Sequence, residues 1–170
     1  MRFLLPAVLF FFLVIEGTWL QVFAPDFRGA DWQYIPRFLF MLILFTGIYR
    51  AKSHGVFYAV IFGMMYDIVY APVLGVYTFG FGFITYLFSI STPFMRRRPL
   101  YTALLVLVGV IALEYYVYGM MVLLGLTTLT HEMLFLQRFL PSFLLNGAAA
   151  LAAAFPLRWW FNKVDGFNEE

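Results

Sequence analysis

Hydrophobic residues occur along this chain in long blocks that are separated by short polar segments. A membrane-spanning helix needs about 20 mostly apolar residues, and by that criterion the pattern predicts six spans. The six predicted spans are Phe3 to Phe23, Ile35 to Tyr49, Gly55 to Tyr70, Val76 to Phe94, Leu100 to Leu126 and Phe139 to Leu157. No polar segment is long enough to fold alone, so we predict an all-α integral membrane protein with a single domain over residues 1–170.

The third predicted span carries small residues at every fourth position and ends in an acid. The stripe consists of Gly55, Ala59, Gly63 and Asp67. On a helix these four positions share one narrow face, and small side chains let a second helix approach closely. The segment from Ala71 to Gly75 then predicts a turn into the fourth span. We expect the stripe, together with Gly75, to serve helix packing or partner binding.

Composition supports the membrane interpretation and excludes several kinds of site. The chain has 170 residues, of which 64% are hydrophobic, and a mean hydropathy of +0.87. Soluble domains have only about half apolar residues. The absence of cysteine excludes disulfides and thiolate metal sites. A net charge of +2 is too small to indicate nucleic acid as a partner.

The distribution of basic residues predicts the orientation in the membrane. Eight of the 11 Lys and Arg residues fall on one side of the predicted spans. These eight are Arg2, Arg50, Lys52, Arg96, Arg97, Arg98, Arg158 and Lys163, and the other three are Arg28, Arg37 and Arg138. The positive-inside rule then places both termini in the cytoplasm. The first apolar block lacks a small-residue cleavage site, so we interpret it as an uncleaved span.

Polar side chains inside the predicted spans are few, and no basic residue is expected at their depth. These residues are Glu16, Asp67, Glu114 and Asn146. One interpretation is a site for a cation, a proton or a polar ligand, because acids inside a membrane are costly and often functional. The other is that the acids accept hydrogen bonds from hydroxyl or backbone groups and fix the register of the helices. We prefer the second interpretation.

Enzyme chemistry has little support in the sequence. Nucleophile-elbow, zinc-protease and phosphate-loop motifs are absent. His131 and Glu132 are adjacent in a predicted outer loop but lack a third metal ligand, and His54 falls in a polar turn. We therefore predict no catalytic residue, no metal and no cofactor. The basic run Arg96 to Arg98 is interpreted as an anchor at the inner leaflet, with docking of a cytoplasmic partner as the alternative.

Several of these residues occur in an order that resembles a known family. Gly55, Gly63, Asp67 and the pair Leu74-Gly75, across two spans and the turn between them, resemble the signature region of the rod shape-determining protein MreD family. Pro141, Asn146 and Pro156 are similar to the last helix of that family. The resemblance implies a compact bundle of six transmembrane helices, similar to the substrate-binding subunits of energy-coupling-factor transporters.

The resemblance also implies a function and partners. Members of the family belong to the machinery that elongates the bacterial side wall, and they associate with MreC. Through MreC they connect to MreB, to RodA and to the transpeptidase partner of RodA. This chain is then expected to be a non-catalytic scaffold that binds and stabilises MreC within membrane lipid. The alternative is a transporter subunit that binds a small ligand near Glu16, Asp67 and Glu114, and a membrane enzyme ranks third.

Overall fold

The computed structural model describes residues 4–23, 34–89, 94, 97–127 and 135–165, and these residues are mainly helical. Within these ranges there are six α-helices, one π-helical turn and no strand, which confirms the predicted all-α class. The α-helices are α1 (Leu4–Phe23), α2 (Phe38–Tyr49), α3 (Lys52–Tyr70), α4 (Val76–Phe88), α5 (Pro99–Leu123) and α6 (Leu140–Asp165), and the π-helical turn is Phe135–Phe139.

Helix α2 lies at the centre of the described bundle. It packs against all five other α-helices, and every residue from Leu39 to Tyr49 is buried. The segment is apolar on all faces, which is the pattern of a helix surrounded by protein or lipid. Thr46 carries the one hydroxyl between Leu39 and Ile48, and this hydroxyl donates to the carbonyl oxygen of Leu42 at 2.8 Å.

Helices α3 and α4 form a closely packed antiparallel pair, joined by the turn predicted at Ala71 to Gly75. That turn is confirmed, and Gly75 adopts a positive φ of 99° that few other residues tolerate. A Cβ added at Gly63 would lie 2.9 Å from the Cα of Thr78 and from the carbonyl oxygen of Tyr77. The absence of a side chain at Gly63 therefore allows α4 to pack against the backbone of α3.

Helix α3 begins at Lys52 rather than Gly55 and α5 ends at Leu123 rather than Leu126, and three further helices also have ends that differ from the predicted ones. Helix α2 begins at Phe38 because Pro36 favours an extended conformation in the residue before it. Helix α4 ends at Phe88 rather than Phe94, before a run of serine, threonine and proline residues that favour turns. Helix α6 continues to Asp165 through Pro156, although a proline in a helix interior removes one hydrogen bond and clashes with the preceding turn.

Two described helices are long and apolar enough to cross a membrane. They are α5 and the segment Leu140–Lys163 of α6. The apolar part of α1, Leu4–Thr18, and helices α2 and α4 are apolar but shorter. The structure thus fits a membrane protein, while the count of six spans stays a prediction. With 12 residues α2 is about 18 Å long, which is less than the roughly 30 Å of hydrocarbon that a spanning helix crosses.

Candidate functional site

The extended segment that precedes α2 is held by two polar side chains of α6. The backbone N–H of Ile35 donates to the Oγ of Ser142 at 3.0 Å. Asn146 accepts from the N–H of Arg37 at 2.9 Å and donates to the carbonyl oxygen of Ile35 at 3.0 Å. Backbone groups outside a helix need such partners where water is excluded. Asn146 therefore fixes the start of α2 against α6.

The side chain of Arg37 lies inside the bundle, where only 2% of it is exposed. Its Nε donates to the Oε1 of Glu114 at 2.5 Å, and its Nη1 donates to the hydroxyl of Tyr66 at 2.9 Å. Its Nη2 lies 3.5 Å from the hydroxyl of Tyr77. The guanidinium carbon also lies 5.8 Å and 5.4 Å from the centres of these two tyrosine rings. The cation is thus enclosed by one carboxylate and two aromatic side chains.

This position of Arg37 corrects the sequence-based account in two respects. The charge pattern assigns Arg37 to the outer side of the membrane and predicts no basic residue at the depth of the acids. The structure instead pairs Arg37 with Glu114 on α5. The physical reason is that the extended segment before α2 enters the bundle and carries Arg37 with it. The sequence did contain a signal for the burial of Arg37, because this residue falls within the predicted second span. It was therefore the one cation in the predicted spans that could pair with one of the three acids.

Glu16 of α1 supports the first turn of α2. Only 1% of Glu16 is exposed, and its Oε1 accepts from the backbone N–H of Leu39 at 2.6 Å. The first N–H groups of a helix have no partner within the helix, and the helix dipole makes this end positive. A carboxylate from a neighbouring helix therefore acts here as the cap of α2, where Arg37 provides no capping side chain.

Asp67 has the equivalent role at the start of α4. Its Oδ2 accepts from the N–H of Gly75 at 3.0 Å, from the N–H of Thr78 at 2.8 Å and from the hydroxyl of Thr78 at 2.6 Å. Its Oδ1 accepts from the N–H of Tyr77 at 2.8 Å. These four bonds tie the end of α3 to the first turn of α4 across the turn. They agree with the register-fixing role preferred for this acid.

These groups lie around the starts of α2 and α4, and we call them the polar core. Its members are Glu16, Arg37, Tyr66, Asp67, Tyr77, Glu114, Ser142 and Asn146. Tyr77 links Asp67 to Arg37, because its N–H donates to Asp67 and its hydroxyl faces Arg37, which in turn pairs with Glu114. The ring centres of Tyr66 and Tyr77 are 4.5 Å apart. Chemically the polar core pairs its charges and backbone donors with one another, which is the arrangement of a structural site.

One carboxylate oxygen of the polar core is buried without a hydrogen bond from the described residues. The Oε2 of Glu114 makes no hydrogen bond among the described residues, although the Nη2 of Arg138 lies 3.6 Å away. Glu114 also lines a cavity of about 210 Å³ between α5 and α6. Neither Glu16 nor Asp67 lines any of the three cavities that we describe. The structure thus does not bring the three acids around a common cavity.

The small-residue stripe of α3 faces the inside of the bundle. Ala59 is fully buried, and a Cβ added at Gly55 would lie 2.5 Å from the Cα of Gly47 on α2. Gly55 and Gly63 thus allow α3 to contact two neighbouring helices at backbone distance. Because these surfaces are already occupied within the chain, the geometry favours the helix-packing role over the partner-binding role.

The histidines contribute no metal site to the described part of the chain. His54 lies exposed in the first turn of α3, while His131 and Glu132 lie outside the described residues. Within the described ranges no group of three His, Cys, Asp or Glu side chains is close enough to hold a metal ion. Arg97 and Arg98, from the basic run, are exposed before and at the start of α5.

Comparison with known proteins gives one consistent result. The profile of the family described as rod shape-determining protein MreD matches residues 1–164. A curated protein of Bacillus subtilis (strain 168), named rod shape-determining protein MreD, is 34% identical over 163 residues. The match covers 96% of this chain and 95% of that relative. No solved structure matches the chain significantly.

Proposed function

The chain belongs to the family of rod shape-determining protein MreD, and on that premise we propose that it is a non-catalytic membrane subunit of the cell-elongation complex. In this role it binds and stabilises MreC and helps to control cell shape and the synthesis of side-wall peptidoglycan. Its connection to MreB, to RodA and to the transpeptidase partner of RodA is indirect and runs through MreC.

One observation carries the proposal of a scaffold rather than a chemical or transport role. The charged side chains of the polar core make contacts within the chain. Arg37 pairs with Glu114, Glu16 accepts a hydrogen bond at the start of α2, and Asp67 accepts hydrogen bonds at the start of α4. Each of these contacts fixes one helix relative to another. A protein whose buried charges set helix positions is suited to presenting a rigid surface to partners.

The proposal includes a topology and a place in the cell. We propose six spans in a single domain, with both termini in the cytoplasm and the chain in the bacterial inner membrane. The hydropathy of α5 and α6 and the unequal distribution of basic residues support it. The likeness to substrate-binding subunits of energy-coupling-factor transporters is also part of this proposal, and it rests on the family resemblance.

The transporter alternative has less support from the contacts of the acids. A ligand site near Glu16, Asp67 and Glu114 needs carboxylates that face a shared cavity. Glu16 and Asp67 instead bond the first turns of α2 and α4, and of the three acids Glu114 alone lines any of the described cavities. We therefore retain the scaffold as the proposed function.

Depletion in the native host tests the proposal. As the chain is lost, we expect the abundance of MreC to fall on immunoblots and the cells to become wider. Re-supply of the wild-type chain from a second locus should restore both measurements. Cells that keep their width and their MreC level after complete depletion would contradict the proposed function.

A further inference from the structure

Two adjoining cavities lie along the contact between α5 and α6, and Glu114 and Phe139 line both of them. The larger has a volume of about 210 Å³ and an almost wholly apolar lining. The smaller has a volume of about 60 Å³, and its lining includes Arg138, Tyr118 and Thr127. A polar compartment thus adjoins an apolar one, in the contact between the two helices best suited to cross a membrane.

Arg138 brings a second guanidinium group to the smaller cavity, where Glu114 is the acid that the described residues place beside it. The carboxylate of Glu114 already pairs with Arg37 through its Oε1 at 2.5 Å. Its Oε2 lies 3.6 Å from the Nη2 of Arg138, which is too far for a hydrogen bond. The Nε of Arg138 is buried and has no hydrogen-bond partner among the described residues. Two guanidinium groups therefore share one carboxylate, and the second retains donors suited to an anion.

The larger cavity extends from this charge along the contact between α5 and α6. On α5 its lining extends from Tyr115 back to Leu107, which is about 12 Å along the helix axis. On the other side it extends from Phe139, the last residue of the π-helical turn, to Asn146 on α6, over a similar distance. Hydrocarbon side chains dominate these walls, so the cavity suits a chain of methylene groups rather than a polar solute.

We propose that these two cavities form a single site for an anionic phospholipid, with its headgroup phosphate at Arg138 and part of one acyl chain between α5 and α6. Arginine matches the geometry of phosphate oxygens with two parallel donors. A cationic headgroup does not fit, because Arg138 would repel it. The inference does not depend on MreC binding.

Retention of lipid by the purified full-length chain tests this site. The chain is exchanged into mild detergent with phosphatidylglycerol or phosphatidylcholine of identical acyl chains, and bound lipid is measured by native mass spectrometry. We expect about tenfold more retention of phosphatidylglycerol, as one charge-assisted contact implies. Arg138→Gln should abolish this preference, and Arg138→Lys should keep most of it. Arg158→Gln, which removes a half-buried arginine elsewhere on α6, is the matched control and should behave as wild type.

Two further experiments distinguish binding of the acyl chain from binding of the headgroup. Ile111 lines the larger cavity and is half-buried, so Ile111→Trp should fill the cavity and lower retention of both lipids while Arg138 is intact. Glycerol phosphate carries the headgroup chemistry without a tail, and it should fail to displace the lipid at equal concentration. Equal retention of the two lipids by the wild type, an unchanged preference in Arg138→Gln, or displacement by glycerol phosphate would overturn the proposal.

Discussion

Arg37 is the residue on which most of the polar core converges. It reaches Glu114 on α5, Tyr66 on α3 and Tyr77 on α4 with its side chain, and Asn146 on α6 with its backbone. A buried ion pair adds little net stability compared with a well-packed apolar pair, because both charges must lose water. Removal of one partner is costly, however, since it leaves the other charge buried without its main counter-charge.

Replacement of Arg37 should therefore destabilise the fold strongly. We expect Arg37→Met to lower the free energy of unfolding by about 3–5 kcal/mol, because the carboxylate of Glu114 then stays buried with only a loose contact to Arg138. The midpoint of thermal unfolding in detergent measures this. The double variant Arg37→Met with Glu114→Leu should recover part of the loss, and Arg97→Met, at an exposed arginine, is the control. An unchanged midpoint for Arg37→Met would contradict the assigned pairing.

Replacement of Asp67 should destabilise the fold nearly as strongly as replacement of Arg37, for a different reason. Asp67→Leu leaves several donors at the start of α4 without an acceptor, and each buried unsatisfied donor costs about 1–3 kcal/mol. We expect a lower unfolding midpoint, weaker co-purification of MreC and wider cells. Asp67→Asn keeps one acceptor oxygen and should have a smaller effect. Ile68→Leu, at the neighbouring exposed residue, is the control. Normal cell width and unchanged MreC recovery with Asp67→Leu would argue against this role.

At the scale of the elements, close contact between α2 and α3 depends on glycine. A Cβ at Gly55 would lie 2.5 Å from a backbone atom of Gly47, which cannot move as a flexible side chain can. Gly55→Ala should therefore push the two helices apart and cost about 1–3 kcal/mol. Gly119→Ala is the matched control, because nothing lies within 4 Å of its added Cβ. That control should be neutral or stabilising by up to about 1 kcal/mol, since alanine favours helix.

The comparison of Gly55→Ala with Gly119→Ala uses the same thermal unfolding measurement. Because both changes add one methyl group to a helix, helix propensity favours both equally, and any difference reports the packing at Gly55. If the two variants unfold at the same temperature, α3 does not approach α2 as closely as the structure has it.

The elements also show what the sequence alone can predict. The apolar blocks predict the helices, and the turn at Ala71 to Gly75 follows from its proline and glycine. The burial of Arg37 was not predicted, because an average over a hydrophobic window assigns a charge near the end of a span to the adjacent loop. The early end of α4 and the extension of α6 beyond Pro156 depend on local capping and tertiary contacts that hydropathy does not describe.

At the scale of the whole molecule, the proposed orientation is accessible to chemical labelling. The chain has no cysteine, so a single introduced cysteine reports its own position without background. A membrane-impermeant maleimide added to cells with a permeabilised outer envelope should label His131→Cys, in the predicted outer loop, and should spare Lys163→Cys, near the C-terminus. Labelling of Lys163→Cys from outside would contradict the proposed cytoplasmic C-terminus. Lysed cells, in which both positions should react, provide the control.

The measurement that tests the central claim most directly is co-purification from the native host. The tagged chain is extracted in mild detergent, and the proteins recovered with it are identified by mass spectrometry. The account predicts recovery of MreC together with cell-wall synthases, and reduced recovery with Asp67→Leu relative to Ile68→Leu. Recovery of a pair of ATPases with a coupling subunit, and no MreC, would contradict it and would make the chain a transport component.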